Sequence, residues 1–172
     1  MTKSFLFSLI LIIFTGNIFA QNLSNTDIAH IGVTANQIDI DYANLALKKS
    51  KNKEVHHFAE MMATDHKAVI EQAVALVTKL GVTPTDNDVS KSLLDGAEKK
   101  LKELSKLKGK AFDEAYINNE VEYHKAVIAT IKTVLIPKAT VHELKDFLQA
   151  LIAPLETHLH HAEMAQKNIL KH

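Results

Sequence analysis

The sequence contains no cysteine and no tryptophan, and all 20 of its basic residues are lysine, so arginine is absent as well. Without cysteine there is no disulfide, no thiolate nucleophile, no sulfur-ligated zinc and no lipid-modified thiol, and composition carries no mark of redox compartment. Without arginine the chain lacks the bidentate fork on which phosphate and guanine recognition draws, and 20 Asp plus Glu balance the lysines to a formal charge of zero. Together these facts exclude an ordinary nucleic-acid binder. Gly (5) and Pro (3) are scarce in 172 residues, too few turn-formers for a many-stranded β fold. Glycine-rich phosphate loops and Gly-x-Ser-x-Gly elbows are also missing, so no common catalytic class is announced. No strongly basic amphipathic helix marks a membrane-surface binder.

What is present is apolar surface, 47% of residues against 23% charged, enough to bury a core. Met1 to Ala20 reads as a signal peptide: Lys3 supplies the positive start, Phe5 to Phe14 the apolar run, and Ile18-Phe19-Ala20 a cleavage site before Gln21. The run is too short to span a bilayer comfortably. The expectation is a leader over 1–20 and one domain over 21–172, about 150 residues in the mature chain. That places the protein in the periplasm or cell envelope, with no stable membrane span after cleavage.

Helical periodicity runs through the rest. Ser24 to Asp27 is a capping box for a first helix reaching about Ser50, with Ile28, Ile31, Ile38 and Tyr42 on one stripe. Asn52 opens a second helix (Val55, Phe58, Met62, Val69, Leu76) stopped by Gly81 and Pro84. Asp86 to Lys108 is a thinner amphipathic helix ended by Gly109. Lys110 to Ile136 is a long helix closed by Pro137. Thr140 and Glu143 form another capping box for a last helix, which Pro154 should kink by stranding the Ala150 carbonyl. Two helices, a long connection carrying a small helix, then two more is the pattern of a four-helix bundle with one crossover.

The chemistry lies in histidine. Of ten, three interrupt apolar stripes near helix midpoints: His66 in the second helix, His124 in the fourth, one turn after Glu120, and His158 in the last. Asp39 and Asp41 flank the stripe of the first helix. An antiparallel bundle brings these positions to one level. One reading is a core metal site of imidazole and carboxylate ligands; the other is a satisfied polar cluster in which each imidazole bonds a carboxylate such as Asp65, Asp39 or Glu120. Met62 with His66 and His160 with Met164 repeat a soft pairing that suits copper, although methionine on a stripe is commonly core filler. His56-His57 reads as a solvated pair.

The stretches Asp39 to Leu47, Phe58 to His66, Phe112 to Tyr116 running on to His124, and Ala153 to His158 resemble the domain-of-unknown-function 4142 family, whose members are often labelled outer-membrane proteins. The resemblance covers nearly the whole mature chain, and Met62-x-x-Asp65-His66 is its most specific mark. It implies a ferritin-like bundle, exported, with no established activity. Matching family positions are Asp39 (where the family usually has Glu), Asp65, His66, His124 and His158. Ferritin-type di-iron sites take Glu-x-x-His from two helices. Here Ala63, Val121 and Leu155 stand three residues before the histidines, which removes those carboxylates. The expected ligands are therefore His66, His124 and His158 with Asp39 and Glu120, and Asp65 as an orienting partner, for a divalent transition metal (zinc, copper or iron). The rival readings are a structural or interaction bundle whose polar cluster only fixes helix packing, and a weak metal-dependent oxidoreductase. Homo-oligomerisation stays open.

Overall fold

The structure, a computed structural model, describes residues 22–170, so the leader expected over 1–20 lies outside it. Among the described residues every regular element is helical: α1 (Asn25–Lys49), α2 (Lys53–Lys79), α3 (Asp88–Lys106), α4 (Gly109–Thr130), a π-helical turn (Ile131–Leu135), α5 (Ile136–Lys138), α6 (His142–Ala150) and α7 (Ile152–Leu170).

Local signals set most of these boundaries. The Ser24 side chain takes the Asp27 backbone N–H while the Asp27 carboxylate takes that of Ser24, closing the capping box of α1. Asn52 caps α2 through the Glu54 N–H, 2.9 Å. Gly81, at φ 63°, ends α2 in a Schellman turn in which Val82 N–H reaches the Val77 carbonyl at 2.9 Å and Gly81 N–H reaches Thr78 at 3.1 Å.

Four expectations change. Gly109, with φ 53°, opens α4 instead of ending α3, which stops at Lys106. The fourth helix passes through the π turn and runs one residue beyond Pro137. Thr140 does not cap: its backbone N–H and hydroxyl are both taken by the Asn25 amide at 3.0 and 2.7 Å, and α6 starts after Val141 with no side-chain cap. The expected kink at Pro154 is a break at Leu151, three residues earlier, so the last helix is two.

α1 pairs with α2 and α4 with α7, and the pairs close on each other through α1 with α4 and α2 with α7. α3 lies along α1 in the same direction, tied at one end by Asn87 to the Asp27 carbonyl and at the other by Lys49 to the Ser105 carbonyl. The chain thus descends α2, returns by α3 and descends again by α4, which gives a ferritin-like four-helix bundle with a crossover helix. Tyr123, whose hydroxyl donates to the Ala35 carbonyl at 2.8 Å, ties α4 to α1.

The apolar core comes in two halves. One gathers Phe58, Met62, Phe112, Tyr116 and Ala162; the other Ile28, Ile31, Val134, Leu144 and Leu155. Between them every long helix of the bundle places a buried polar residue: Asp39, His66, Glu120 with His124, and His158.

Candidate metal centre

Each of these side chains occupies the slot that an apolar residue would fill one turn along its own stripe. His66 follows Met62 on α2, Glu120 and His124 follow Tyr116 on α4, His158 lies between Leu155 and Ala162 on α7, and Asp39 lies one turn before Ala43 on α1. The three imidazole rings form a nearly equilateral triangle, with centroids 5.2 Å (His66–His158), 5.6 Å (His124–His158) and 5.7 Å (His66–His124) apart. One donor atom from each lies within 4.8 Å of the others, and Asp39, Glu120 and His124 form a second such group. Asp39 Oδ2 is 3.3 Å from His66 Nε2 and 3.6 Å from His124 Nε2. Glu120 Oε2 is 3.8 Å from His124 Nδ1.

The outer nitrogen of each ring is held. His124 Nδ1 donates to the Glu120 carbonyl at 2.9 Å, and because a carbonyl only accepts, the proton sits on Nδ1. Asn36 Nδ2 donates to the Gly32 carbonyl at 2.8 Å, which turns Oδ1 toward His66, so His66 Nδ1 is also the protonated nitrogen, at 2.7 Å. His158 Nε2 donates to Asp65 Oδ2 at 3.0 Å, where Asp65 is half exposed at the rim.

The inner nitrogens have no partner. Buried atoms lacking any hydrogen bond include His66 Nε2, His124 Nε2, His158 Nδ1 and both oxygens of Asp39 and of Glu120. Buried polar groups are normally satisfied, and each one left alone costs about 1–3 kcal/mol. Seven such atoms on five adjoining residues concentrate that cost in one place.

Burial also sets their charge. It lowers His66 to about 3, with the charges of His124 and His158 adding to the effect, and His124 to about 4, the Glu120 carbonyl opposing. His158 is lowered by burial against the pull of Asp65. Asp39 is raised to about 8 by burial, the proton-bearing Glu120 carboxyl beside it offsetting part of the rise, and Glu120 is raised well above its ordinary range by burial and then by the charge of Asp39, with the Asn119 amide opposing. At neutral pH the imidazoles are therefore uncharged, with lone pairs facing inward, and the carboxyls hold protons that a cation could displace.

The expected residues Asp39, His66, Glu120, His124 and His158 thus meet in one layer, and Asp65 meets His158 from outside. Asp41 does not join them; its carboxylate takes Gln37 Nε2 at 3.0 Å. His56 is not part of a solvated pair, since its Nε2 bonds the Ser50 carbonyl at 2.8 Å, leaving His57 exposed. Asn36 was not foreseen, although it stands three residues before Asp39 on the same face of α1. Tyr116 stands on the apolar stripe of α4, which marks it as core, yet its buried hydroxyl is unpartnered. Met62 is fully buried in the apolar half beside the layer, and Met164 is exposed. A cavity of about 220 Å³ abuts the layer, with Asp39, His66, His124 and His158 in its wall.

The family described as domain of unknown function (DUF4142) matches residues 19–165. The chain belongs to the DUF4142 family. No curated protein matches it. Among solved structures, a Streptomyces coelicolor DUF305 protein described as secreted is similar, with a TM-score of 0.67 over 82% of this chain and 90% of that one at 14% identity. At that identity the likeness is one of fold, and it places this DUF4142 chain in an all-helical, ferritin-like architecture. Among the described residues no helix is long and apolar enough to cross a membrane.

Proposed function

We propose that this DUF4142 protein is exported and holds one divalent transition-metal ion, zinc, copper or iron, in the polar layer of its bundle, for metal handling or stress protection in the cell envelope. The observation that carries the reading is the division of labour within each imidazole. One nitrogen is held by Asn36, the Glu120 carbonyl or Asp65, and the other is buried, uncharged and unpartnered. Metal-binding histidines are held in this way, an outer acceptor fixing the tautomer and aiming the free lone pair.

Distances favour a coordination sphere over a hydrogen-bonded cluster. N–H···O bonds run about 2.7–3.2 Å, whereas ligand atoms at about 2.0–2.1 Å around a tetrahedral ion lie about 3.4 Å apart. The His66–Asp39 and His124–Asp39 separations are 3.3 and 3.6 Å. His66 Nε2, His124 Nε2 and His158 Nδ1 would be the nitrogen ligands and Asp39 the first oxygen ligand. Glu120 is a further oxygen donor in reach, and Asp65 orients His158. Because His124 offers one lone pair, the two overlapping donor groups share a single ion. With Ala63, Val121 and Leu155 in place of the carboxylates of a di-iron pair, oxidase chemistry is disfavoured and a non-catalytic role preferred.

Export, with a leader over 1–20 removed before Gln21 and one domain over 21–172, is supported by the apolar run Phe5 to Phe14 with the cleavage site Ile18-Phe19-Ala20 after it and by the secreted description of the DUF305 protein.

The test uses the mature, untagged protein. Bound metals are measured after purification, and thermal melting is followed with added zinc, copper and iron for the wild type, His66→Ala and His158→Ala. A native-state ligand at 100 times its Kd stabilises by about 2.7 kcal/mol. The expected result is a rise in Tm that both variants lose. No ion binding tighter than about 10 μM, with Tm unmoved by any metal, would defeat the reading.

A further inference from the structure

The 220 Å³ cavity beside the polar layer is long rather than wide. Its wall takes residues from Ile31 to Tyr42 of α1 and from Leu93 to Lys100 of α3, with α4 and the π turn opposite. Ile31 and Tyr42 are eleven positions apart, a rise of about 16 Å along the helix. An apolar cavity of about 150 Å³ holds one compact benzene molecule, so 220 Å³ drawn out over that length leaves room for a chain and not for a ring system. Glu122, Ala126 and, on the far side, Pro154 are wall residues exposed to solvent. A Cβ built on Gly32, in the same wall, would meet no heavy atom within 4 Å.

The lining is hydrocarbon even where the residues are polar. The unpartnered nitrogens and oxygens of His66, His124 and Asp39 are sealed from solvent, so these residues offer the cavity only carbon. Tyr123 gives its hydroxyl to the Ala35 carbonyl and Thr130 gives its own to the Ala126 carbonyl, both at 2.8 Å. Asn36 is engaged by Gly32 and His66, and Asn119 buries its amide nitrogen. Two charged side chains remain, and both sit at the rim. Glu122 is exposed and faces Lys125 at 3.5 Å. Lys100, 39% exposed, lines the wall with its stem while its ammonium meets Glu103 at 3.0 Å. Because α3 runs parallel to α1, tied by Asn87 to Asp27 and by Lys49 to Ser105, Lys100 stands at the Tyr42 end. Residues 98–110 carry six lysines against two glutamates, so that end attracts an anion. An exposed pair such as Lys100–Glu103 is weak, and an incoming carboxylate can replace Glu103. At the other end Ile131, Leu135 and Leu148 are at most 5% exposed. One leaflet of a bilayer, half of a hydrocarbon core about 30 Å thick, is spanned by single acyl chains, so about 16 Å is the reach of one such chain. We propose that the cavity binds one free fatty acid, its carboxylate at Lys100 and its unbranched chain running along α1 to the π turn. The narrow bore disfavours a two-chain membrane lipid. This inference goes beyond the metal reading and does not rest on it.

The probes are octanoate, decanoate and dodecanoate, titrated by calorimetry into the metal-stripped mature protein below the concentrations at which they aggregate. Affinity should rise about fourfold per methylene, the equivalent of ~0.8 kcal/mol at 1.4 kcal/mol per tenfold. Gly32→Leu fills the space at the end remote from Lys100. It should weaken dodecanoate about tenfold or more and leave octanoate within about twofold, and the retained octanoate site shows that the variant is folded. Lys100→Met keeps the apolar stem and removes the charge at an exposed position, so it tests the head independently of the Gly32 variant. It should weaken dodecanoate about fivefold or more and leave dodecanol, which has no charge, unmoved. No saturable binding to the wild type, no gain with chain length, or equal dodecanoate affinity in Gly32→Leu overturns the proposal. Equal dodecanoate affinity in Lys100→Met overturns the placing of the carboxylate. Adsorption to phosphatidylglycerol vesicles without binding of free dodecanoate would assign this face to a bilayer lipid and overturns the free acid. Zinc uptake is measured separately, so failure of the fatty-acid titrations leaves the metal reading standing, and failure of zinc uptake leaves this one.

Discussion

At the scale of single residues, the histidines are ordinary and their outer partners are not. Asn36 is the sharpest case, since its amide is locked by the Gly32 carbonyl and can present only its oxygen to His66. Asn36→Ala should weaken metal binding about 10–100-fold, the usual effect of removing such a partner, while Asn36→Asp restores most of it. Competition against a chromophoric chelator measures this, and an unchanged Kd in Asn36→Ala would show that His66 needs no orienting. Proton linkage gives a second residue-scale expectation for the metal-free protein. His66 and His124, at about 3 and 4 in the fold against 6.5 when unfolded, favour the fold increasingly as pH rises toward 6.5 and add nothing further beyond it. Asp39, raised from 3.8 to about 8, works in the opposite sense: the fold holds a proton that the unfolded chain has released, so stability falls as pH rises through that window. Between pH 6.5 and 8 only the carboxyl effect remains. Metal-free Tm should therefore decline over that interval and decline less in Asp39→Asn, and a flat wild-type profile would mean that the carboxyls are not desolvated as described.

At the scale of elements, what was legible was whatever a helix writes into its own neighbourhood. Stripes, the Ser24 box, the Asn52 cap and the Gly81 stop all depend on residues within a turn or two, and α1 and α2 begin and end within a residue or two of where their sequences indicate. The Thr140 cap failed because a residue 115 positions away competes for it: Asn25 takes both the hydroxyl and the backbone N–H. The π turn failed for a related reason, since an extra residue in a helix shows only when its neighbours are in place. The break at Leu151 was half legible; Pro154 announced a lost hydrogen bond, but the chain yielded one turn earlier, where Leu151 still donates to the Phe147 carbonyl at 3.2 Å. Of the site, the core-facing ligand positions were readable from periodicity, and the outer acceptors were not, because a backbone carbonyl and an asparagine leave no periodic signature. The two left-handed glycines are the element-scale test. Gly81→Ala and Gly109→Ala place a Cβ in a conformation that costs L residues about 1–2 kcal/mol. Each should lower stability by about that amount, whereas Gly32→Ala, in mid-helix with open space around it, should raise it by about 0.5–1 kcal/mol in denaturant titrations.

At the scale of the molecule, the two apolar halves would make a better core if they met. The layer that separates them carries Asp39, Glu120 and three histidines, none more than 5% exposed, and burying such groups without partners opposes folding. If the layer existed to fix helix register, its members would bond one another and their replacement would loosen the bundle. If it exists for a ligand, the metal-free fold bears a cost that an apolar substitution relieves, as at binding and catalytic sites that trade stability for function. Glu120→Leu separates these cases, because leucine matches glutamate closely in size and the residue is fully buried beside Tyr116. The metal-free variant should melt higher than the wild type by about 2–12 °C, corresponding to about 1–3 kcal/mol of relieved desolvation at this chain length. Its stabilisation by zinc should shrink, since one oxygen donor and much of the negative charge of the layer are gone. A lower Tm for metal-free Glu120→Leu would mean that Glu120 is satisfied in the native bundle and that the polar layer is part of what holds the helices in register.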